Sequence, residues 1–111
     1  MNLNEKEKKM LLDLAKKTIE SELGHTKFKI EKEKIPSRLR EKKATFVTLT
    51  IDGQLRGCMG HLLPSRELYL DVIENAKAAA FYDPRFLPLR KDEFSKIQIE
   101  ISILSLPQKI N

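Results

Sequence analysis

Hydrophobic residues at helical spacing define the first element of the chain. Over residues 11–23 apolar side chains recur every three or four positions, which places them on one face of a helix. Asn4 precedes this run and Glu7 follows three residues later, the spacing of a capping box, while Gly24 stands where a helix ends. The pattern predicts an amphipathic helix between Asn4 and Gly24.

The next stretch, residues 25–45, is charged and carries little hydrophobic pattern. Phe28 and Ile30 alternate in strand fashion, and Pro36 interrupts the segment. We expect a short strand or an extended arm here, followed by a loop.

A β-hairpin is predicted next. Residues 46–51 are β-branched and aromatic, residues 54–60 form a return strand, and Asp52-Gly53 between them is a strong two-residue turn signal. A two-residue turn gives the pairs Thr50–Leu55, Leu49–Arg56, Thr48–Gly57, Val47–Cys58 and Phe46–Met59. In that register Arg56 and Cys58 share one face of the hairpin.

A second helix and a last strand complete the pattern. Ser65 is the predicted N-cap of a helix whose apolar stripe narrows to alanines, and the helix ends near Tyr82 because Asp83 precedes a proline. Residues 92–96 can form one helical turn. Residues 97–104 alternate isoleucine with polar residues and give the clearest strand of the chain. Helix, hairpin, helix and strand indicate an α+β fold with a mostly antiparallel sheet packed against two main helices.

Composition restricts the class of protein. With 111 residues, 41% of them hydrophobic, the chain has material for one core, and we expect a single domain over residues 1–111. No apolar run approaches the length of a membrane span, and the first residues carry no secretory signal, so we expect a cytoplasmic protein. One cysteine and two separated histidines do not make a zinc module.

The positive charge is concentrated near the N-terminus. Residues 1–43 hold 13 lysines and arginines against 8 acidic residues, and the rest of the chain is balanced. Lysines that alternate with glutamates along a helix are typical of a solvated face on which residues four positions apart form ion pairs. Basic charge without interleaved aromatic residues is a weak indication of nucleic-acid binding, so that function is kept as a third alternative.

The sequence Leu55-Arg56-Gly57-Cys58-Met59-Gly60 is unusual for a strand, because its two glycines lower β propensity. One interpretation is that Gly57 and Gly60 let a ligand approach the main chain beside Cys58 and Arg56. The other is a bulge, or tight packing against the alanine-rich helix.

Cys58 also has two interpretations. A guanidinium nearby favours the thiolate and would make Cys58 a nucleophile, whereas a lone cysteine is more often a small buried hydrophobe. His61, three residues further on, falls on the opposite face of a continuous strand, so local geometry gives no Cys-His pair unless the chain turns at Gly60.

Arg85 and Asn75 are further candidate ligand-binding residues. Arg85 lies in a turn stiffened by Pro84, which suits bidentate binding of a carboxylate or phosphate. The alternative is an internal ion pair, either Arg56 with Asp83 or Arg85 with Glu100. Asn75 is unfavourable on a packing face of a helix, so it hydrogen-bonds the hairpin or lines a pocket.

Three blocks of the sequence, FVTLTIDGQLRGCMG, ENAKAAAFYDPRF and IEISILS, resemble the AMMECR-one domain family, also called AmmeMemoRadiSam system protein A. LRGC(I/M)G is its signature motif. The matching positions are Leu55, Arg56, Gly57, Cys58, Gly60, Asn75, Ala79, Ala80, Asp83, Pro84, Arg85 and Phe86.

The resemblance implies an α+β protein that works with Memo-like and radical S-adenosylmethionine proteins, and it implies no particular reaction or cofactor. Family members continue beyond the strand equivalent to residues 97–104, so the resemblance also implies that residues 1–111 lack the C-terminal portion of the domain.

Two main hypotheses follow. The first is a site protein, and in its stronger form an enzyme, with Cys58 as nucleophile and Arg56, Gly57, Gly60, Asn75, Asp83 and Arg85 binding a ligand in a cleft between the hairpin and the second helix. The second is a non-catalytic interaction module. We also expect either a homodimer through the edge of the last strand, or a segment formed by residues 106–110 that covers this edge.

Overall fold

The computed structural model describes residues 3–104. Helix α1 (Glu5–Leu23) begins at the predicted capping box, in which Asn4 and Glu7 exchange side-chain and backbone hydrogen bonds, and it ends at Gly24. The strands are β1 (Ala44–Ile51), β2 (Gln54–Gly60) and β3 (Ile97–Leu104), and the other helices are α2 (Leu68–Phe81) and the short α3 (Lys91–Phe94). The predicted α+β class is confirmed.

The three strands form an antiparallel sheet in the order β2-β1-β3. Asp52 and Gly53 both have positive φ, as a tight two-residue hairpin turn requires. Val47 and Leu49 of β1 are fully buried under α2, and α1 packs on α2 and β3. The opposite face of the sheet is open at β3, where Gln98 is one of three exposed polar residues.

A bulge corrects the predicted register. Thr50 pairs with Leu55 as expected, but Leu49 pairs with Gly57, so Arg56 has no partner on β1. Every later pair is displaced by one residue, and Cys58 lies opposite Thr48 rather than opposite Val47. The alternation that was to place Arg56 and Cys58 on one face is therefore broken between them.

The structure decides between the two alternatives predicted for the stretch after α1, and it shows one further local prediction to be wrong. Residues 25–31 contain no strand, and two short 3-10 turns follow at Lys32–Lys34 and Ser37–Arg40, so of the two alternatives the extended arm is found. Ser65 does not cap α2, which begins at Leu68 with Glu67 as its N-cap. Glu67 itself forms an antiparallel bridge with Lys42, directly before the first turn of α2.

Within the described residues, β3 pairs on one side only, with β1. This is the edge at which the sequence predicts a dimer. The alternative cover, residues 106–110, lies outside the described residues. The dimer stays a prediction, and sedimentation at rising concentration is the measurement that decides it.

No helix within residues 3–104 is both long enough and apolar enough to cross a lipid bilayer.

Candidate functional site

The turn that follows α2 is attached to the outer edge of β2 beside Cys58. The Cys58 amide donates to Asp83 Oδ2 at 3.0 Å. Arg85 donates two hydrogen bonds to the same carboxylate, from Nε at 3.0 Å and from Nη2 at 2.8 Å. Asp83 is buried, although Pro84 and Arg85 next to it are exposed. We call Thr48, Cys58, Asp83 and Arg85 the thiol corner.

The Cys58 sulfur lies on the open face of the sheet, on the side away from the helices. Its cross-strand neighbour is Thr48, whose Oγ1 is 3.2 Å from Sγ, and Thr48 lies opposite Glu100 on its other side. The side chain of Cys58 is half-buried. The predicted cleft between the hairpin and the second helix is therefore not where the thiol is found.

Electrostatics fix the Asp83–Arg85 pair in its charged form. The hydrogen bonds from Arg85 hold the pKa of Asp83 far below its ordinary value, and the bond from the Cys58 amide adds to this. The pKa of Arg85 is raised, chiefly by its hydrogen bonds to the Asp83 carboxylate. Arg85 thus keeps its positive charge at Asp83, whose carboxylate also accepts from the Cys58 amide.

Arg56 is not part of this corner. Its Nε and Nη2 donate to the carboxylate of Glu93 at 2.9 and 3.0 Å, and Nη2 also donates to the Leu87 carbonyl. Its Nη1 is buried without a hydrogen-bond partner among the described residues. Both predicted ion pairs are replaced, since Arg56 pairs with Glu93 and Arg85 with Asp83. Arg56 therefore fastens β2 to α3.

The space beside each of the two glycines of the motif is occupied by other atoms of the protein. A Cβ on Gly57 would lie 2.0 Å from the Ala79 carbonyl oxygen, and one on Gly60 would lie 2.3 Å from the Phe46 ring. These contacts match the packing interpretation. Ligand binding by Gly57 or Gly60 stays a prediction.

Asn75 belongs to a buried network on the other side of the sheet. Its Nδ2 donates to the carbonyl and hydroxyl oxygens of Thr45 and to Asp71 Oδ2, so the predicted bond between Asn75 and the hairpin is present. Asp71 Oδ2 also accepts from the Thr45 amide and hydroxyl. We call Thr45, His61, Asp71 and Asn75 the Asp71 network.

The sequence alone did not reveal the pair formed by His61 and Asp71. His61 Nδ1 lies 2.8 Å from Asp71 Oδ1, and Arg66 Nε lies 3.5 Å from the same oxygen. Because a carboxylate only accepts, Nδ1 is the donor in this contact. The spacing of residues 61 and 71 across a loop and a helix start carries no local signal for this contact. His61 is thus held by Asp71, and Cys58 by Thr48 and Asp83.

Within residues 3–104, no three His, Cys, Asp or Glu side chains come together as ligands of a metal ion.

Glu93→Gln is expected to reduce the loss of stability in acid. The hydrogen bonds from Arg56 are the main cause that lowers the pKa of Glu93 from 4.5 to about 2. Since the folded value is the lower one, the pair stabilises the fold above about pH 4.5, and this contribution is lost as the pH falls toward 2. The contribution is on the order of 3 kcal/mol.

Urea unfolding of both proteins between about pH 6 and pH 3 measures this effect, and Glu33→Gln, an exposed site, is the control. Asp83 is present in the unchanged protein and in both variants, so its contribution to the pH dependence of stability is the same in all three. The prediction is wrong if the curves of Glu93→Gln and the unchanged protein run parallel.

Comparison with known proteins gives three findings. A family model described as AMMECR1 matches residues 12–111. The protein Mbar_A1807 of Methanosarcina barkeri is 43% identical over 112 residues, which cover 98% of this chain and 55% of the relative. NEQ441 of Nanoarchaeum equitans is 39% identical over 101 residues, 90% of this chain and 56% of the relative.

Among solved structures, the crystal structure of the uncharacterized protein PH0010 from Pyrococcus horikoshii matches with a TM-score of 0.88 and 32% identity. The match covers 98% of this chain and 56% of that one. The chain thus spans about half the length of the relatives it matches.

Proposed function

The chain belongs to the AMMECR1 family, and from that premise we propose that its thiol corner is a reactive site, in which Arg85 recognises an anionic group and Cys58 is the nucleophile. The observation that carries the proposal is that one buried carboxylate, that of Asp83, binds both the backbone amide of Cys58, whose thiol is half-buried, and the exposed guanidinium of Arg85.

Arg85 has donors left for a ligand. A guanidinium carries five N–H groups, and the contacts with Asp83 use Nε and Nη2. The side chain is 57% exposed, and the Phe86 ring lies 5.5 Å from its guanidinium carbon. A rigid, partly exposed arginine of this kind suits a carboxylate or a phosphate.

The chemistry that fits this arrangement is acyl transfer from an activated acyl compound with an acidic group. Cys58 gives its proton to a base in solvent, and its sulfur forms a bond to the carbonyl carbon while the leaving group departs with the bonding electron pair. The product is a thioester on Cys58. The Thr48 hydroxyl, 3.2 Å from the sulfur, can donate a hydrogen bond to the thiolate before attack.

The proposal assigns a separate role to each remaining residue. Asp83 positions Arg85 and binds the Cys58 amide, and Arg56 holds β2 against α3. Asn75 supports the Asp71 network. Three further parts of the proposal rest on the sequence. They are work with Memo-like and radical S-adenosylmethionine partners, a single domain over residues 1–111, and a cytoplasmic location.

The measured quantity is the rate at which iodoacetate alkylates Cys58, divided by the rate with iodoacetamide. We expect this ratio to be higher in the unchanged protein than in Arg85→Ala. The chain has one cysteine, so the modification reports this thiol alone. Arg85 attracts the carboxylate of iodoacetate, and we expect the ratio of the two rates to fall roughly fivefold when the guanidinium is removed. The ratio separates anion recognition from the amount of thiolate, which affects both reagents equally.

Arg90→Ala is the matched control, because Arg90 is also exposed and pairs with an aspartate two residues away, Asp92. It should leave the ratio unchanged. If Cys58 reacts only after urea unfolds the chain, the thiol is structural and the reactive site is ruled out.

A non-catalytic interaction module is the second candidate function. It is favoured by the open face of the sheet and by the edge of β3, which is unpaired among residues 3–104. Slow alkylation of Cys58 together with concentration-dependent sedimentation would favour this function over the first.

A further inference from the structure

A groove between α1 and residues 28–35 has an apolar floor with lysines around it. The floor consists of Met10 and Leu14 from the helix and Phe28, Ile30 and Ile35 from the extended arm. Ile35 is buried, and the other four side chains are half-buried. The hydrophobic surface of this groove therefore stays accessible to a partner.

Helical periodicity explains how α1 contributes to the groove. Lys6, Met10, Leu14 and Lys17 follow at spacings of three or four residues, so they share one face of the helix. From Lys6 to Lys17 the helix rises by roughly 16 Å, or about three turns.

The charge around the floor is largely unneutralised. Five lysines and two carboxylates line the groove. Lys34 pairs with Glu31 at 2.7 Å, but within residues 3–104 no carboxylate lies within ion-pair distance of Lys6, Lys9, Lys17 or Lys29. The alternation of lysine with glutamate predicted a face of mutual pairs, and on this side of α1 the pairs are missing. The groove is therefore both apolar and positively charged.

We propose that this groove binds an acidic amphipathic helix of a partner protein. Such a helix would place apolar side chains at positions i, i+3, i+4 and i+7 on the floor and its carboxylates against the lysines. The site is separate from the thiol corner and does not depend on the function proposed for Cys58.

Other anionic ligands fit the groove less well. A fatty acid needs a cavity that encloses most of its chain, whereas four of the five side chains of this floor are only half-buried. Single-stranded nucleic acid is bound through aromatic platforms, and Phe28 is the one aromatic side chain that lines the groove. The aliphatic floor and three-turn length favour a peptide helix.

Fluorescence anisotropy with a labelled peptide tests the proposal. The probe is a 14-residue peptide of leucine and glutamate with leucines at helical spacing, and the control peptide has the same composition with leucine and glutamate alternating. We expect the unchanged protein to bind the first peptide at least about tenfold more tightly than the second. The double variant Lys6→Glu/Lys17→Glu should weaken binding of the first peptide by at least about tenfold.

Lys16→Glu/Lys96→Glu is the matched variant, with the same change of net charge at two exposed lysines that do not line the groove. It should change the affinity less than about threefold. Phe28→Ala tests the floor at a residue outside the core and should also weaken binding of the helical peptide several-fold.

Four results would overturn the proposal. The first is that the helical peptide does not bind at about 1 mM, and the second is that the two peptides bind equally well. The third is that both double variants weaken binding equally. The fourth is that dodecanoate or a thymidine oligonucleotide displaces the labelled peptide at a lower concentration than the unlabelled peptide does. Circular dichroism of each variant confirms that it is folded before its affinity is compared.

Discussion

Gly57→Ala is expected to destabilise the fold by about 3 kcal/mol or more, as measured by urea unfolding. The added Cβ would lie 2.0 Å from the carbonyl oxygen of Ala79 and 3.0 Å from its carbonyl carbon. Both are backbone atoms of α2, so no side-chain rotation removes the clash. The sheet and the helix have to separate, which opens the core where Val47 and Leu49 are fully buried.

Gly24→Ala is the control for this substitution. At Gly24 the added Cβ meets the Glu20 carbonyl oxygen at 3.5 Å, an ordinary contact, and φ is negative. The free energy of unfolding should change by less than about 1 kcal/mol. Equal stability of Gly57→Ala and Gly24→Ala would show that β2 and α2 are not packed as closely as described.

The elements of this fold were predictable where a local pattern specifies them. The capping box at Asn4 and Glu7, the turn at Asp52-Gly53 and the alternation of β3 depend on residues a few positions apart, and each is present. Local chemistry decides these features, so the sequence contains what is needed to predict them.

The register of the hairpin depends on contacts that the local sequence does not specify. A two-residue turn fixes the first pairs, but the bulge at Arg56 depends on distant partners. Glu93 draws the guanidinium toward α3, and Ala79 requires a residue without a side chain at position 57. Neither partner is a neighbour in sequence, so the displacement of Cys58 to the side of Thr48 could not be derived from the hairpin alone.

Sequence reasoning singled out residues that make specific polar contacts, but it predicted the wrong partners for the two arginines. Arg56, Asp83, Arg85 and Asn75 all make specific polar contacts, yet both predicted ion pairs connect the wrong groups. The spacing of residues in a helix or a strand predicts which face a side chain lies on. It does not predict which of several carboxylates an arginine on that face will contact.

Asp71→Ala is expected to cost about 3–5 kcal/mol of stability. Asp71 is 1% exposed, and its Oδ2 accepts from the Thr45 amide, the Thr45 hydroxyl and the Asn75 amide. Removal of the carboxylate leaves the amide and the hydroxyl of Thr45 buried and without this acceptor, which is more unfavourable than the loss of the bonds themselves. Asp71→Asn keeps one acceptor oxygen in a side chain of the same shape, so its loss should be clearly smaller.

Asp92→Ala is the matched control, since Asp92 also pairs with an arginine but on the surface, where such a pair contributes little. Proton and nitrogen NMR of His61 gives an independent readout: without Asp71 the imidazole loses the acceptor at Nδ1, and the tautomer protonated at Nε2 should gain population. A tautomer ratio that stays unchanged, or an Asp71→Ala protein as stable as Asp92→Ala, would contradict the description of Asp71 as the acceptor that joins β1, α2 and His61.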